Sequence, residues 1–167
     1  MSQEMSKILV AGVGNKYRGD DGFGPRVVEA LMTMGLPETV EARDVGMCGV
    51  TLASDLKDYE HIIFVDAVQK GGKPGTIYRT EIKAEEVKEL ESEEAKHSFT
   101  FDIHETGLEE LLVYARTIGT LPPTTTIIGC EVSEITLGES LSRPVAAAVS
   151  RVAAFILNDL QRRCERK

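Results

Sequence analysis

The sequence predicts an α/β fold with a mostly parallel sheet, and three observations lead to this class. Strand-like and helix-like patterns alternate along the 167 residues. The runs 8–11 and 61–65 are mainly apolar, which is typical of strands that are covered on both faces. Apolar residues at three- and four-residue spacing follow the first run, as in an amphipathic helix. We expect one domain spanning residues 1–167, with a core of about 7–158.

The first half of the chain predicts three strands and two helical segments. A helix begins near Pro25, which suits a first helical turn, and it ends near Gly35, which suits a helix C-terminus. The pattern places strands at 8–11, 39–44 and 61–66, and a short helical segment at 49–56.

The second half begins with a turn at 71–75, which is rich in glycine and proline. The alternating segment 76–82 predicts a strand antiparallel to the preceding one, because a parallel return needs a long crossover. The glutamate-rich segment 84–96 fits a charged helix or a solvated loop. The pattern then predicts a helix at 105–118, a last core strand at 125–130 and a long helix that Ser142 or Arg143 precedes, with Pro144 in its first turn.

Composition excludes several classes of protein. The formal net charge of -8 and the pI near 5.0 argue against a nucleic-acid partner, because no basic stripe is present. Three cysteines without a CxxC pair predict neither a disulfide framework nor a zinc knuckle. We found no signal segment and no run near the ~20 apolar residues of a membrane span. We therefore expect a soluble, cytoplasmic protein with no membrane partner.

The loop after the first strand favours a cation over a phosphate. Gly12 and Gly14 begin a dinucleotide-like turn, but Tyr17 stands where the fingerprint requires a third glycine. Asp20 and Asp21 would repel a phosphate at the following helix N-terminus, where an anion is otherwise favoured.

Three potential metal ligands are expected at one edge of the sheet. Asp21 (with Asp20 beside it) follows the first strand, Asp66 ends another, and the loop that carries His104 could reach the same edge. Oxygen and imidazole donors suit nickel, zinc or iron. Each residue also has a structural interpretation: Asp20 or Asp21 could cap the following helix, Asp66 could cap a turn, and His104 could be a loop residue. His61 and His97 are expected to be structural or solvated.

The sequence lacks the usual nucleophile motifs. It has no Gly-x-Ser-x-Gly elbow, no HExxH helix and no cysteine in an activating context. Hydrolysis would then depend on carboxylates with a metal or a polarised water. One alternative is an aspartic dyad of Asp21 and Asp66 that shares a proton.

An ordered set of short segments resembles the hydrogenase maturation endopeptidases, which process the large subunit of nickel-iron hydrogenases. The resemblance extends from Lys7 to about Asn158. The Asp-Asp-Gly-x-Gly-Pro form is most similar to the branch that serves formate-linked or coenzyme-F420-linked hydrogenases. The segments are Gly12-Val-Gly-Asn15, Gly19-Asp-Asp-Gly-Phe-Gly-Pro25, Val65-Asp-Ala67, Lys73-Pro-Gly-Thr-Ile77, His104 with Gly107-Leu108, Ile128-Gly129 with Glu131, and Leu137 with Ser142 and Pro144.

The resemblance implies a single α/β domain whose twisted, mostly parallel five-stranded sheet lies between helices, with one antiparallel strand. It implies an endopeptidase, aspartic-type or metal-dependent, that removes a C-terminal peptide from the precursor after nickel insertion. Asp21, Asp66 and His104 would contact that nickel, and Asp21 or Asp66 would position the water. Many relatives carry Glu at the position of Asp21, and Asp44 resembles a family residue at the edge of the cleft.

The nickel is expected to be that of the precursor, and whether the resting protein holds a metal is undecided. We expect a monomer. The alternatives are a nickel-binding maturation chaperone that does not cut its partner, and a nucleotide-binding protein of flavodoxin-like shape.

Overall fold

The structure is a computed structural model that describes residues 7–47, 50–87 and 107–166. The strands are β1 Ile8–Val13, β2 Val40–Gly46, β3 His61–Val68, β4 Ile77–Lys83 and β5 Thr124–Glu131. The α-helices in the described ranges are α1 Phe23–Thr33, α2 Gly107–Ile118 and α3 Arg143–Glu165. The 3₁₀ segments there are Gly19–Gly22, Val50–Asp58 and Ala84–Glu86.

The five strands form one sheet in the order β2-β1-β3-β5-β4. β1 pairs in parallel with β2 and β3, β3 pairs in parallel with β5, and β4 is antiparallel to β5. The chain passes from β1 to β2 on one side, whereas β3 lies on the other side of β1. The strand order therefore reverses between β1 and β3, and such a switch point opens a crevice at the carboxyl ends of the strands.

The core lies on both faces of the sheet, as expected of a three-layer α/β fold. Val10 and Ile63 belong to a core cluster that contains residues of α1 and α3. Leu9 and Phe64 belong to a second cluster, which contains residues of α2 and of the 3₁₀ segment Val50–Asp58. Neighbouring residues of β1 and β3 thus alternate between the two layers. The predicted fold class, a mostly parallel five-stranded sheet with one antiparallel strand and helices on both faces, is confirmed.

Most predicted elements are found within one or two residues of their expected bounds. β4 runs opposite to β3, as predicted, but its partner is β5, because β5 occupies the edge of β3 from His61 to Val68. The predicted helical segment at 49–56 is the 3₁₀ segment Val50–Asp58. The described part of 84–96 begins with the 3₁₀ segment Ala84–Glu86, and residues 88–96 lie outside the described ranges. None of the helices within the described ranges is both long and apolar enough to cross a membrane.

Candidate active site

Two carboxyl groups that interact electrostatically lie at the carboxyl ends of β1 and β3. Asp21 lies in the 3₁₀ segment Gly19–Gly22, a few residues after the end of β1. Asp66 lies in the last part of β3, where the burial of that strand decreases. The negative charge of Asp21 acts on the carboxyl group of Asp66, so the two predicted site residues are electrostatic neighbours. The structure therefore brings together residues that are 45 positions apart in the sequence.

The carboxyl group of Asp66 is held in an environment that favours its neutral form. Burial raises its pKa from 3.8 to about 7, and the charge of Asp21 acts in the same direction. The N–H of Ala67 donates a hydrogen bond to Oδ1 at 2.8 Å, which opposes the shift without cancelling it. A carboxyl group with a pKa near 7 can hold or release a proton at neutral pH, as general acid–base chemistry requires.

Asp21 is positioned by the loop that precedes it. The N–H of Asn15 donates a hydrogen bond to Oδ2 of Asp21 at 2.9 Å. The side chain of Asn15 in turn accepts a hydrogen bond from the N–H of Tyr17 at 2.9 Å. Gly14 has a φ of 124°, and a Cβ there would collide with the carbonyl oxygen of Asp21. Only glycine suits this conformation and this close approach, so the loop fits tightly around Asp21.

Asp20 has a structural role that is different from its predicted one. Its side chain is only 1% exposed and accepts four hydrogen bonds. The donors are the N–H groups of Ser133, Glu134 and Ser142 at 2.9, 3.2 and 2.7 Å, and the hydroxyl of Ser142 at 2.8 Å. The prediction that Asp20 or Asp21 caps α1 is wrong, because Gly22 is the N-cap and no side chain hydrogen-bonds there. Asp20 instead joins the loop after β1 to the loop after β5.

The first turn of α1 sits directly on the carboxyl ends of β1 and β3. A Cβ at Gly24 would collide with the carbonyl oxygens of Val13 and Val65. A Cβ at Gly12 would lie 2.5 Å from the carbonyl oxygen of Gly24. These glycines let the helix approach the strands closely, which places the 3₁₀ segment carrying Asp21 over the end of β3.

Glu131 holds the loop that follows Asp66. It lies at the end of β5 and accepts hydrogen bonds from the N–H groups of Lys70 (3.0 and 3.1 Å) and Gly71 (3.1 Å) and from the hydroxyl of Tyr78 (3.0 Å). Desolvation opposes the charged form, but these hydrogen bonds together keep the pKa of Glu131 below its ordinary value. Periodicity and spacing gave no role for this residue, and only its place in the family-like segments singled it out.

The structure describes only some of the remaining residues that the sequence singled out. His104 and His97 lie outside the described residues, and so does Cys48. In the described ranges, no group of three or more His, Cys, Asp or Glu side chains is arranged to hold a metal ion. Asp44 lies in β2 opposite Gly12, and its exposed carboxylate accepts a hydrogen bond from the N–H of Gly46 at 2.9 Å.

His61 lies at the amino end of β3, far along the strand from Asp66. Its ring nitrogens are each 3.0 Å from a hydroxyl oxygen, that of Thr124 or that of Thr126. Burial, assisted by the charge of Arg163, lowers its pKa from 6.5 to about 4. His61 is thus a neutral core histidine, in agreement with its predicted structural role.

Comparisons with known proteins agree on one family. A sequence profile described as "Hydrogenase maturation protease" matches residues 25–159. The hydrogenase 2 maturation protease of Escherichia coli K12 is 37% identical over 127 residues, which are 74% of this chain and 71% of that protein. The crystal structure of a hydrogenase 2 maturation peptidase from a Thaumarchaeota archaeon is 42% identical, with a TM-score of 0.72 and coverage of 93% and 99%. The hydrogenase maturating endopeptidase HybD of E. coli is 30% identical, with a TM-score of 0.74 and 93% coverage of both chains.

Proposed function

The chain belongs to the hydrogenase maturation protease family, and on this premise we propose that it removes a C-terminal peptide from a nickel-iron hydrogenase large-subunit precursor after nickel insertion. The observation that carries the proposal is the pair formed by Asp21 and Asp66 at the switch point of the sheet. The pair couples two carboxyl groups, and the pKa of Asp66 is about 7. Two neighbouring carboxyl groups of which one holds a proton near neutral pH suit peptide hydrolysis, because one can accept a proton while the other donates a hydrogen bond.

In the proposed chemistry the two carboxyl groups divide the proton transfers. The carboxylate of Asp21, held by the N–H of Asn15, accepts a proton from the water that attacks the scissile carbonyl. Protonated Asp66 hydrogen-bonds to the carbonyl oxygen, on which negative charge develops. The proton taken from the water then passes to the nitrogen of the leaving peptide, and the C–N bond breaks. The products are a new carboxyl terminus on the large subunit and a free amino terminus on the released peptide.

We further propose that the substrate's own nickel directs the cut. The precursor's nickel would be recognised by Asp21, Asp66 and His104 while the precursor docks, before the two carboxyl groups act on the peptide bond, and their oxygen and imidazole donors suit this ion. The start of α2 supports a place for His104 in this set. Gly107 lies next to Met47, which follows β2 at the carboxyl edge, since a Cβ on Gly107 would be 3.4 Å from the Met47 carbonyl oxygen.

The test compares variants on nickel-loaded and nickel-free precursor. Asp21→Asn and Asp66→Asn should each abolish shortening of the precursor, measured by mass spectrometry, while circular dichroism shows an intact fold. His104→Ala should reduce cleavage of nickel-loaded precursor. Asp58→Asn is the matched control, because Asp58 is an exposed aspartate at the end of the segment Val50–Asp58, and this variant should cut normally.

Three outcomes would change the proposal. Normal processing by Asp21→Asn would remove Asp21 from the mechanism. Equal cleavage of nickel-loaded and nickel-free precursor would show that the metal plays no part in substrate recognition. Binding of nickel-loaded precursor without any change in its mass would identify the chain as a nickel-binding maturation chaperone instead.

A further inference from the structure

Three large apolar side chains are exposed on the two loops beside the carboxylate pair. Tyr17, in the loop after β1, is 57% exposed; Ile135 and Leu137, in the loop after β5, are 37% and 93% exposed. We call these three side chains the apolar ridge. Single exposed apolar side chains are common on protein surfaces. A group of them next to a functional site is typical of an interaction surface.

The backbone of the ridge is fixed by hydrogen bonds between its two loops. The N–H of Gly138 donates to the carbonyl of Tyr17 at 2.9 Å, and the N–H of Gly19 donates to the carbonyl of Gly138 at 2.8 Å. Asp20 anchors the start of the second loop through the N–H groups of Ser133 and Glu134. Leu137 is therefore exposed although the backbone on both sides of it is held by hydrogen bonds to the loop after β1.

The ridge is also joined to the catalytic carboxylate. Asn15 donates its N–H to Asp21 and accepts the N–H of Tyr17, so a single residue positions both the carboxylate and the first member of the ridge. Tyr17 lies four residues before Asp21 in the same loop and shares Asn15 with it as a hydrogen-bond partner. A substrate whose peptide bond reaches Asp21 would therefore lie close to Tyr17.

We propose that the apolar ridge docks an apolar surface of the precursor protein beside the segment that is cut, an inference that rests on the proposed function. The charges of the two loops do not favour a partner of one sign, because Lys16 and Arg18 lie on one loop and Glu134 and Glu139 on the other. Apolar side chains at the centre of an interface commonly supply most of its binding free energy, whereas charges at the rim supply little. The ridge would thus bind the body of the substrate while Asp21 and Asp66 act on its peptide bond.

The test is the steady-state cleavage of a nickel-loaded precursor by the unaltered chain, by Leu137→Ser and by Met32→Ser. Leu137→Ser should raise KM roughly tenfold and leave kcat within about twofold. Met32 is the matched control, because it is 65% exposed but lies near the C-terminal end of α1, away from the carboxyl edge of the sheet. Met32→Ser should change neither constant. The double variant Ile135→Ser/Leu137→Ser should raise KM further.

Binding of the precursor, measured by calorimetry, separates failure of the docking surface from failure of the proposed function. If the unaltered chain binds the precursor without cutting it and Leu137→Ser weakens this binding, the proposed function is wrong but the docking surface stands. If cleavage occurs and Leu137→Ser leaves KM unchanged, the docking surface is wrong but the function stands. A Tm lowered by Leu137→Ser would show that Leu137 packs within its own chain. A molecular mass in analytical ultracentrifugation that differs between Leu137→Ser and the unaltered chain would show that the ridge contacts a second copy of the chain. Either of the last two results would overturn the proposal.

Discussion

Two adjacent aspartates meet opposite environments although one peptide bond separates them. The four donors of Asp20 come from residues more than 110 positions later in the chain, whereas Asp21 accepts the N–H of Asn15 in its own loop. The residue types alone predict two acids next to a helix, and they cannot predict which one turns inward. Asp20 turns inward because the loop after β5 presents several N–H donors that would have no partner without a buried acceptor.

Asp20→Asn should destabilise the protein strongly, because the new amide group turns a donor toward several N–H donors. We expect a loss on the order of 2–4 kcal/mol in the free energy of unfolding, measured by urea denaturation. Ser142→Ala is the matched control. The hydroxyl of Ser142 bonds to Asp20 and does not cap α3, so its removal should cost only about 1 kcal/mol. Equal losses in the two variants would contradict the central role of the carboxylate.

The packing of α1 on the sheet shows what periodicity can and cannot predict for an element. The spacing of Val27, Val28 and Leu31 predicts the helix and its buried face, and these three residues are indeed buried. It does not predict how closely the first turn approaches β1 and β3. That distance depends on Gly24, whose missing side chain leaves room for the carbonyl groups of Val13 and Val65.

Gly24→Ala should destabilise the fold and displace the segment that carries Asp21. The added Cβ meets backbone atoms, which cannot rotate away, so we expect a loss of about 3 kcal/mol in urea unfolding and a lower kcat. If α1 did not approach the strands closely, the same change would stabilise the helix by up to about 1 kcal/mol. The sign of the change in the free energy of unfolding therefore tests the close approach.

Gly35→Ala is the companion variant at the other end of α1. A Cβ at Gly35 would meet nothing within 4 Å, but the φ of 75° disfavours alanine. A loss of about 1–2 kcal/mol is expected there, with kcat unchanged. A lowered kcat in Gly35→Ala would mean that any destabilisation of α1 impairs the site.

The whole molecule places two groups with opposite pKa shifts at the two ends of one central strand. β3 begins with His61, which burial keeps neutral, and its last part carries Asp66, which burial keeps protonated until the pH approaches 7. The apolar run between them was enough to predict a buried strand. The two shifts could not be predicted, because they depend on neighbours from other elements: Arg163, Glu81 and Asp159 around His61, and Asp21 beside Asp66.

These shifts give opposite slopes to the dependence of stability on pH. The contribution of His61 is fully present above pH 6.5 and is lost as the pH falls toward 4, because the unfolded chain takes up the proton first. The contribution of Asp66 is fully present below pH 3.8 and is lost as the pH rises through 7, because the unfolded chain releases the proton first. Between about pH 4 and 6.5 the two slopes, each at most about 1.4 kcal/mol per pH unit, largely cancel.

Removing either group should expose the slope of the other. In urea unfolding with EDTA present, the free energy of unfolding of Asp66→Asn should rise relative to that of the unaltered chain as the pH rises from 4.5 to 7.5. His61→Gln should show the reverse trend, and the double variant should again run parallel to the unaltered chain between pH 4.5 and 6.5. If the free energies of unfolding of Asp66→Asn and of the unaltered chain instead differ by a constant amount over this pH range, Asp66 is ionised throughout. Asp66 would then lack the proton through which it hydrogen-bonds to the scissile carbonyl in the proposed chemistry, since a carboxylate cannot donate a hydrogen bond.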